Sequence, residues 1–126
     1  MTAVPEASSP PVWLQAVLQR LNDFVYLGPD WDSYGARPIE NSACIAVLDL
    51  LLQNQWDGPE PTVTPTPSGG VMLGWEADDK GVELWLDPTG SVTAVVDDEQ
   101  EGIREITGLA STGDAVHSIL NQVRRW

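Results

Sequence analysis

The spacing of apolar residues changes from helical to alternating close to residue 60, and that change constrains the fold more than any other feature. Before it, two segments carry apolar residues at three- and four-residue steps, which predicts amphipathic helices. After it, apolar and polar residues alternate in "GVMLGWE", "VELWLD" and "SVTAVV", which predicts strands. Helical spacing returns in "STGDAVHSILNQVRRW". This order predicts an α+β fold: an antiparallel three- to five-stranded meander with two N-terminal helices and one C-terminal helix packed on one face.

Capping residues and prolines predict where these elements begin. We expect Ser9 to cap the first helix with prolines 10–11 in its first turn, Pro38 to open the second helix, and Ser111 or Thr112 to cap the third. The prolines of "TVTPTPSGG" would confine that segment to a sheet edge, and "GIREITG" is the candidate for a short final strand.

The charge balance restricts the partners that this chain can have. Its 126 residues fit a loose N-terminal arm over 1–9 and a single α+β domain over 10–126. Six Lys and Arg against nineteen Asp and Glu leave a net charge of −13. Because such a surface repels nucleic acid and anionic lipid, the expected partner is a basic protein or a nucleic-acid-binding protein. No signal peptide or membrane-spanning run is evident, so a cytoplasmic location is expected.

Residues that usually carry catalysis or metal binding are scarce. Cys44 and His117 are the only cysteine and histidine, which excludes an internal disulfide and a cysteine-based zinc site. The segment "PSGG" lacks the lysine of a phosphate-binding loop, and neither acidic run has EF-hand spacing. We therefore predict no catalytic residue, no metal and no cofactor. A deep pocket that holds Asp32, Tyr34 and His117 together would favour an enzyme.

The segment "LGPDWDSYGARP", from Leu27 to Pro38, combines aromatic, turn-forming and acidic residues between the first two helices. The favoured interpretation is structural: Trp31 would be a buried wedge between the helix pair and the sheet. The alternative is an exposed recognition loop made by Trp31, Asp32 and Tyr34. Both interpretations apply if Trp31 is buried in the protein and Tyr34 is exposed on its surface.

Two segments, "PDWDSYGARPI" and "PTPSGGVMLGWE", together resemble a family of small bacterial and phage proteins. The signature of that family is an Asn-Trp-Asp-Gly-Tyr-Gly-Ala segment, a proline, and then a strand that starts with Gly-Gly and carries a tryptophan. The resemblance covers Asp30 to Glu76 and departs at Asp30, where the family favours Asn, and at Ser33, where it favours Gly. It implies that the loop and the strand form one structural unit, and it carries over no catalytic residue.

Two acidic runs follow predicted strands. "EADD" contains Glu76, Asp78 and Asp79, whereas "DDEQE" contains Asp97, Asp98, Glu99 and Glu101. In a meander, both runs fall at the same end of the sheet, so these seven carboxylates are expected to converge there. They either provide solubility and edge protection, or form a docking surface that presents phosphate-like charge to a basic partner.

The leading hypothesis is a non-enzymatic acidic binding protein that masks a basic surface of a protein partner, of inhibitor, immunity, antitoxin or anti-defence type. Its expected partner-binding residues are Glu76, Asp78, Asp79, Glu83, Trp85, Asp97, Asp98, Glu99 and Glu101. Trp85, on the sheet face opposite the helices, would be the aromatic anchor. The alternative is a structural or scaffold subunit that forms a homodimer through that open face, and a small enzyme ranks third. The C-terminal "RRW" is expected to fold back onto the acidic body or to end the helix.

Overall fold

The computed structural model describes residues 10–126, so the predicted arm over 1–9 and the Ser9 cap lie outside the described residues. Three helices and a five-stranded sheet follow in the predicted order, and the strands lie side by side in chain order, all antiparallel. The α+β meander is therefore confirmed. The elements are α1 (Val12–Phe24), α2 (Asn41–Gln53), β1 (Thr62–Pro65), β2 (Val71–Ala77), β3 (Lys80–Leu86), β4 (Val92–Asp98), β5 (Gly102–Leu109) and α3 (Asp114–Arg124).

One face of the sheet and the apolar stripes of the three helices form a single hydrophobic core. Alternate side chains are buried in β2 as far as Trp75, in β3 from Val82 onward and in β4 as far as Ala94, as the alternating pattern predicts. The sheet contributes Val71, Leu73, Trp75, Val82, Leu84, Leu86, Val92 and Ala94, and the helices contribute Trp13, Val17, Leu21, Phe24, Ala43, Val47, Leu50, Leu51, Val116, Ile119, Leu120 and Val123. The opposite face of the sheet, here called the open face, carries the intervening residues, and none of the helices within residues 10–126 packs on it.

Three tryptophans hold the connection between α2 and β1 against the core. Trp13 Nε1 donates to the Trp56 carbonyl at 2.7 Å, and the indole nitrogens of Trp56 and Trp75 both donate to the Pro59 carbonyl, at 2.9 and 2.8 Å. The Trp56 and Trp75 rings pack at a tilt, with centroids 5.2 Å apart. Because each indole N–H has an acceptor, these large side chains are buried without leaving a donor unpaired.

Arg124 ties the last turn of α3 to the end of α2. Its guanidinium donates to the carbonyls of Asn54 and Gln55 at 2.6 and 3.2 Å, and pairs with Asp57 at 2.7 Å. It also lies 5.3 Å from the centroid of the Trp56 ring. A cation at this place satisfies carbonyl groups that α2 leaves unpaired and opposes the negative end of its dipole.

The helix starts differ from the sequence-based expectations. Helix α1 begins after prolines 10–11, with Pro11 as N-cap, and α3 has Gly113 as N-cap in place of Ser111 or Thr112; neither cap uses a side chain. Helix α2 begins at Asn41, three residues later than Pro38. The backbone N–H groups of residues 37 and 40 donate to the carbonyls of residues 67 and 69, both at 2.9 Å, which keeps this segment extended.

The turn between β3 and β4 closes through its own aspartate. Gly90 N donates to the Asp87 carbonyl at 2.9 Å, and the Asp87 carboxylate accepts the N–H groups of Thr89 and Ser91. The Thr89 hydroxyl, which also donates to this carboxylate, holds the Asp87 pKa below its ordinary value. The ionised carboxylate therefore stabilises the turn above the ordinary aspartate pKa, and that contribution is lost as the pH falls through the lowered pKa.

Candidate protein-docking surface

The acidic runs that follow β2 and β4 lie side by side at one end of the sheet. Asp79 accepts a backbone hydrogen bond from Glu99 N at 2.9 Å, and Lys80 is opposite Asp98 in the register of β3 and β4. A cleft of about 350 Å³ between the runs is lined by Glu76, Asp78, Asp79, Asp97 and Glu99, together with Lys80. The structure thus brings five of the predicted carboxylates to this cleft, with Asp98 opposite Lys80 and Glu101 in the adjoining turn. We call Glu76, Asp78, Asp79, Asp97, Asp98, Glu99 and Glu101 the acidic end.

Few cations neutralise these carboxylates. Among residues 10–126, the ion pairs within 4.0 Å are Arg37–Glu40 and Arg124–Asp57, and neither belongs to the acidic end. Lys80, directly after the first acidic run, has its ammonium 5.8 Å from the centroid of the Trp126 ring. Like charges held this close raise the free energy of the folded state at low ionic strength, and they create a negative potential that a cationic surface would relieve.

Asp98 has a different role from its neighbours. Its Oδ1 accepts hydrogen bonds from the backbone N–H groups of Gln100 and Glu101, at 2.8 and 3.3 Å. This carboxylate shapes the turn between β4 and β5, as aspartates commonly do. Substitutions that test the charge of the acidic end should therefore leave Asp98 in place.

Glu83 and Trp85 lie on the open face, as predicted. Trp85 is 39 % exposed, and its Nε1 donates to Glu83 Oε1 at 3.1 Å, an arrangement that fixes the indole against the sheet. The sheet register places Trp85 between Met72 and Thr93 of the neighbouring strands. A half-exposed tryptophan with its N–H already satisfied presents mainly apolar area to a partner.

The open face is continuous with the acidic end. Glu76 and Asp97 line both the cleft at the acidic end and a second cleft on the open face. Gly74 and Gly81 contribute no side chain there; a Cβ atom on Gly74 would lie only 2.9 Å from Thr62 Oγ1. The missing side chains leave a hollow whose rim is acidic.

Strand β5 adds two residues to this surface that the sequence analysis did not single out. Glu105 shares a cleft with Trp85, and Ile103, which is 72 % exposed, lines the cleft at Gly74 and Gly81. β5 is eight residues long rather than a short strand, and the pairing shifts between Val92 and Ala94 of β4. The two isoleucines of "GIREITG" are three residues apart and lie on opposite faces of β5, so the sequence carried no alternation that would have marked Ile103 and Glu105 as one face.

The loop over 30–37 is held by its two aspartates. Asp30 Oδ1 accepts the N–H of Gly35 at 2.6 Å, and Asp32 Oδ1 accepts those of Tyr34 and Ala36 at 2.9 and 3.0 Å. At the end of this loop, Arg37 N donates to the Pro67 carbonyl, and Glu40 N then donates to the Gly69 carbonyl, just before β2. It is therefore attached to the end of β2 opposite the acidic end, and the structure does not bring the proposed recognition loop and the acidic end together.

The wedge interpretation of Trp31 is wrong. Trp31 is only half-buried and does not belong to the hydrophobic core of the described residues. Its Nε1 donates to the Arg37 carbonyl at 2.9 Å, so it closes its own loop and does not separate helices from sheet. Tyr34 is 91 % exposed.

Both positions that depart from the resembled signature have a positive φ, 61° at Asp30 and 66° at Ser33. Asn and Gly adopt this backbone conformation more easily than most residues. We expect Ser33→Gly to raise the free energy of unfolding by about 0.5–1 kcal/mol, and Gly35→Ala, where φ is 82°, to lower it by about 1 kcal/mol. Urea denaturation followed by circular dichroism measures both; a less stable Ser33→Gly protein would contradict this account of the loop.

His117 and Asp32, two of the residues considered for catalysis, have separate hydrogen-bond partners. His117 Nδ1 is 3.2 Å from Asn54 Oδ1, whereas the hydrogen bonds of Asp32 remain within its loop. Cys44 is half-buried on α2, and burial raises the pKa of its thiol, which lowers its nucleophilicity.

Within residues 10–126, no group of three or more His, Cys, Asp or Glu side chains is arranged to hold a metal ion. No helix in the same range has the length and apolar character needed to cross a bilayer. No family model, curated protein or solved structure matches this chain. Any functional conclusion therefore depends on the geometry and charge of its own residues.

Proposed function

We propose that this protein is a non-enzymatic acidic binding protein that masks a basic surface of a protein partner, as inhibitors, immunity proteins and antitoxins do. The observation that carries the proposal is the acidic end itself, where two separate runs of carboxylates meet without an ion pair in the described residues. An uncompensated cluster of this kind lowers folded-state stability, and a cationic partner would reverse that effect.

The open face supplies the apolar component that a charged end alone lacks. Electrostatic attraction mainly raises the association rate and selects the partner, whereas buried aromatic anchors slow dissociation. Trp85 and the exposed Ile103 lie on the same face as Glu76 and Asp97 of the acidic end. The proposed partner is a basic or nucleic-acid-binding protein of the cytoplasm, and the carboxylates would occupy the site that phosphates otherwise fill.

Self-association through the open face is the weaker candidate. Two copies meeting there would bring together Glu83 and Glu105 from chains that each carry a net charge of −13. Like charges across an interface oppose binding, so a scaffold built in this way would be weakest at low salt.

A matched pair of triple variants tests the proposal. Asp79→Lys/Asp97→Lys/Glu99→Lys reverses charge at the acidic end, and Asp23→Lys/Asp49→Lys/Glu60→Lys makes the same change in net charge at exposed acids elsewhere. Each protein is immobilised and used to capture proteins from a lysate of its native cell. The captured protein is then purified, and its affinity for each variant is measured by calorimetry over a range of salt.

We expect the acidic-end variant to bind the captured protein about 100-fold more weakly, because like-charge contacts replace attractive ones. The control variant should lose less than about fivefold, and wild-type affinity should fall as salt rises. Equal binding by all three proteins, or affinity that does not change with salt, would exclude the proposed masking of a basic surface.

A further inference from the structure

The two edges of the sheet differ in how they are protected. β1 is four residues long, Pro61 and Pro65 flank or end it, and its Val63 carbonyl accepts a hydrogen bond from Arg20 Nη2 at 3.1 Å. β5 has eight residues and no proline. Within residues 10–126, no hydrogen bond reaches its outer side. Natural sheets commonly shield such an edge; in the part of the chain that the structure describes, β1 is shielded and β5 is not.

The register shows which backbone groups of β5 face outward. Asp87 N donates to the Ser91 carbonyl, so the odd-numbered residues of β4 hydrogen-bond to β3. The even-numbered residues of β4 therefore hydrogen-bond to β5. The register places them opposite even-numbered residues of β5, as Val96 is opposite Arg104. The odd-numbered residues of β5 before the bulge consequently direct their N–H and C=O groups away from the sheet.

Those outward residues are Ile103 and Glu105. Their side chains lie on the open face, opposite Asp97 and Val95 respectively. Gly108, with a φ of 70°, interrupts the regular edge beyond them. The free edge is therefore short, with an exposed apolar side chain and a carboxylate at its two outward positions.

The charge around this edge favours one kind of occupant. Asp97 and Glu99 lie near its beginning, and Glu105 lies on the edge itself. A second copy of this chain would add a further net charge of −13 beside these groups, whereas a strand with lysine or arginine at alternate positions would pair with them. We infer that the β5 edge accepts a strand from the basic partner by β-augmentation, an inference that rests on the proposed function.

A pair of substitutions at one position isolates the backbone contribution. Glu105→Pro and Glu105→Thr both remove the carboxylate, but only proline removes the outward N–H. Proline is tolerated at this position because the lost donor makes no hydrogen bond within the sheet.

The probe is a capped, fluorescent peptide of about six alternating lysine and valine residues, the length of the free edge, and binding is measured by anisotropy at low salt. Circular dichroism verifies that each variant folds, and Ile103→Pro against Ile103→Val provides a second pair.

We expect Glu105→Thr to bind the peptide within about fivefold of wild type, and Glu105→Pro to bind at least about 10-fold more weakly than Glu105→Thr. Equal binding by the two variants, or no binding by wild type, would overturn strand addition. A wild-type dimer in sedimentation velocity that Glu105→Pro converts to a monomer would also overturn it, because a second copy would then occupy the edge.

The two proposals fail in different ways. If Glu105→Pro and Glu105→Thr bind the peptide equally while the acidic-end variant loses the native partner, strand addition is excluded and the masking function stands. If the acidic-end variant keeps the native partner as well as its control does, the masking function is excluded whatever the peptide shows.

Discussion

Replacing Gly70 with alanine is expected to lower the free energy of unfolding by about 3 kcal/mol or more. A Cβ atom on Gly70 would overlap the carbonyl oxygen of Leu86 and lie 3.2 Å from Asp87 Cα. These are backbone atoms, so no side-chain rotation relieves the overlap. Relief would require β2 to separate from β3 where Val71 pairs with Leu86, and it would disturb the hydrogen bonds that join Gly70 to Thr66.

Gly28→Ala is the matched control for this substitution. No atom lies within 4 Å of the position that its Cβ would occupy, and Gly28 has no positive φ. Its stability should stay within about 0.5 kcal/mol of wild type. Urea denaturation monitored by circular dichroism measures both proteins. A Gly70→Ala protein as stable as Gly28→Ala would show that β2 and β3 approach each other less closely than described.

A second large loss of stability is expected when Trp56 is replaced. Trp56→Ala should lower the free energy of unfolding by about 3–5 kcal/mol, because it opens a large cavity in the core. The ring packs against Trp75 on one side and lies under the Arg124 guanidinium, so its loss loosens both β2 and α3. The backbone carbonyl of residue 56, which accepts from Trp13 Nε1, remains after the substitution. The segment that carries this carbonyl, however, is no longer packed against the core.

Trp85→Ala serves as the comparison, since Trp85 lies on the open face and outside the core. We expect a loss of about 1 kcal/mol there. Thermal denaturation followed by far-ultraviolet circular dichroism measures both variants without depending on tryptophan fluorescence. Comparable losses at the two positions would contradict the division between a packed face and an open face.

The alternating strands could be predicted because side-chain burial there depends only on position along the strand. Alternate side chains are buried from Val71 to Trp75 in β2, from Val82 to Leu86 in β3 and from Val92 to Ala94 in β4. The start of α2 could not be predicted, because it is decided by hydrogen bonds from residues 37 and 40 to a turn some thirty residues later. Local propensity at Pro38 carries no information about that turn.

The same distinction applies to the candidate surface. Convergence of the acidic runs follows from the order of an antiparallel meander, so it could be expected before any coordinates. The contribution of β5 could not, because Ile103 and Ile106 are three residues apart and so lie on opposite faces, while the bulge beyond Ile106 returns Leu109 to the core side. The wedge prediction for Trp31 assumed contacts with distant helices and the sheet. The side chain instead makes a local hydrogen bond, to the carbonyl of Arg37 six residues later.

The tie between Arg124 and the end of α2 affects the order in which the molecule can assemble. Each strand pairs with its neighbour in the chain, so hairpins can form from short loop closures and at low entropic cost. Arg124, by contrast, joins residues 70 positions apart. During synthesis, the carbonyls after α2 stay hydrated until α3 has emerged from the ribosome. Helix α3 therefore completes the hydrogen bonds at the end of α2, and a fragment that stops before α3 should fold with less cooperativity.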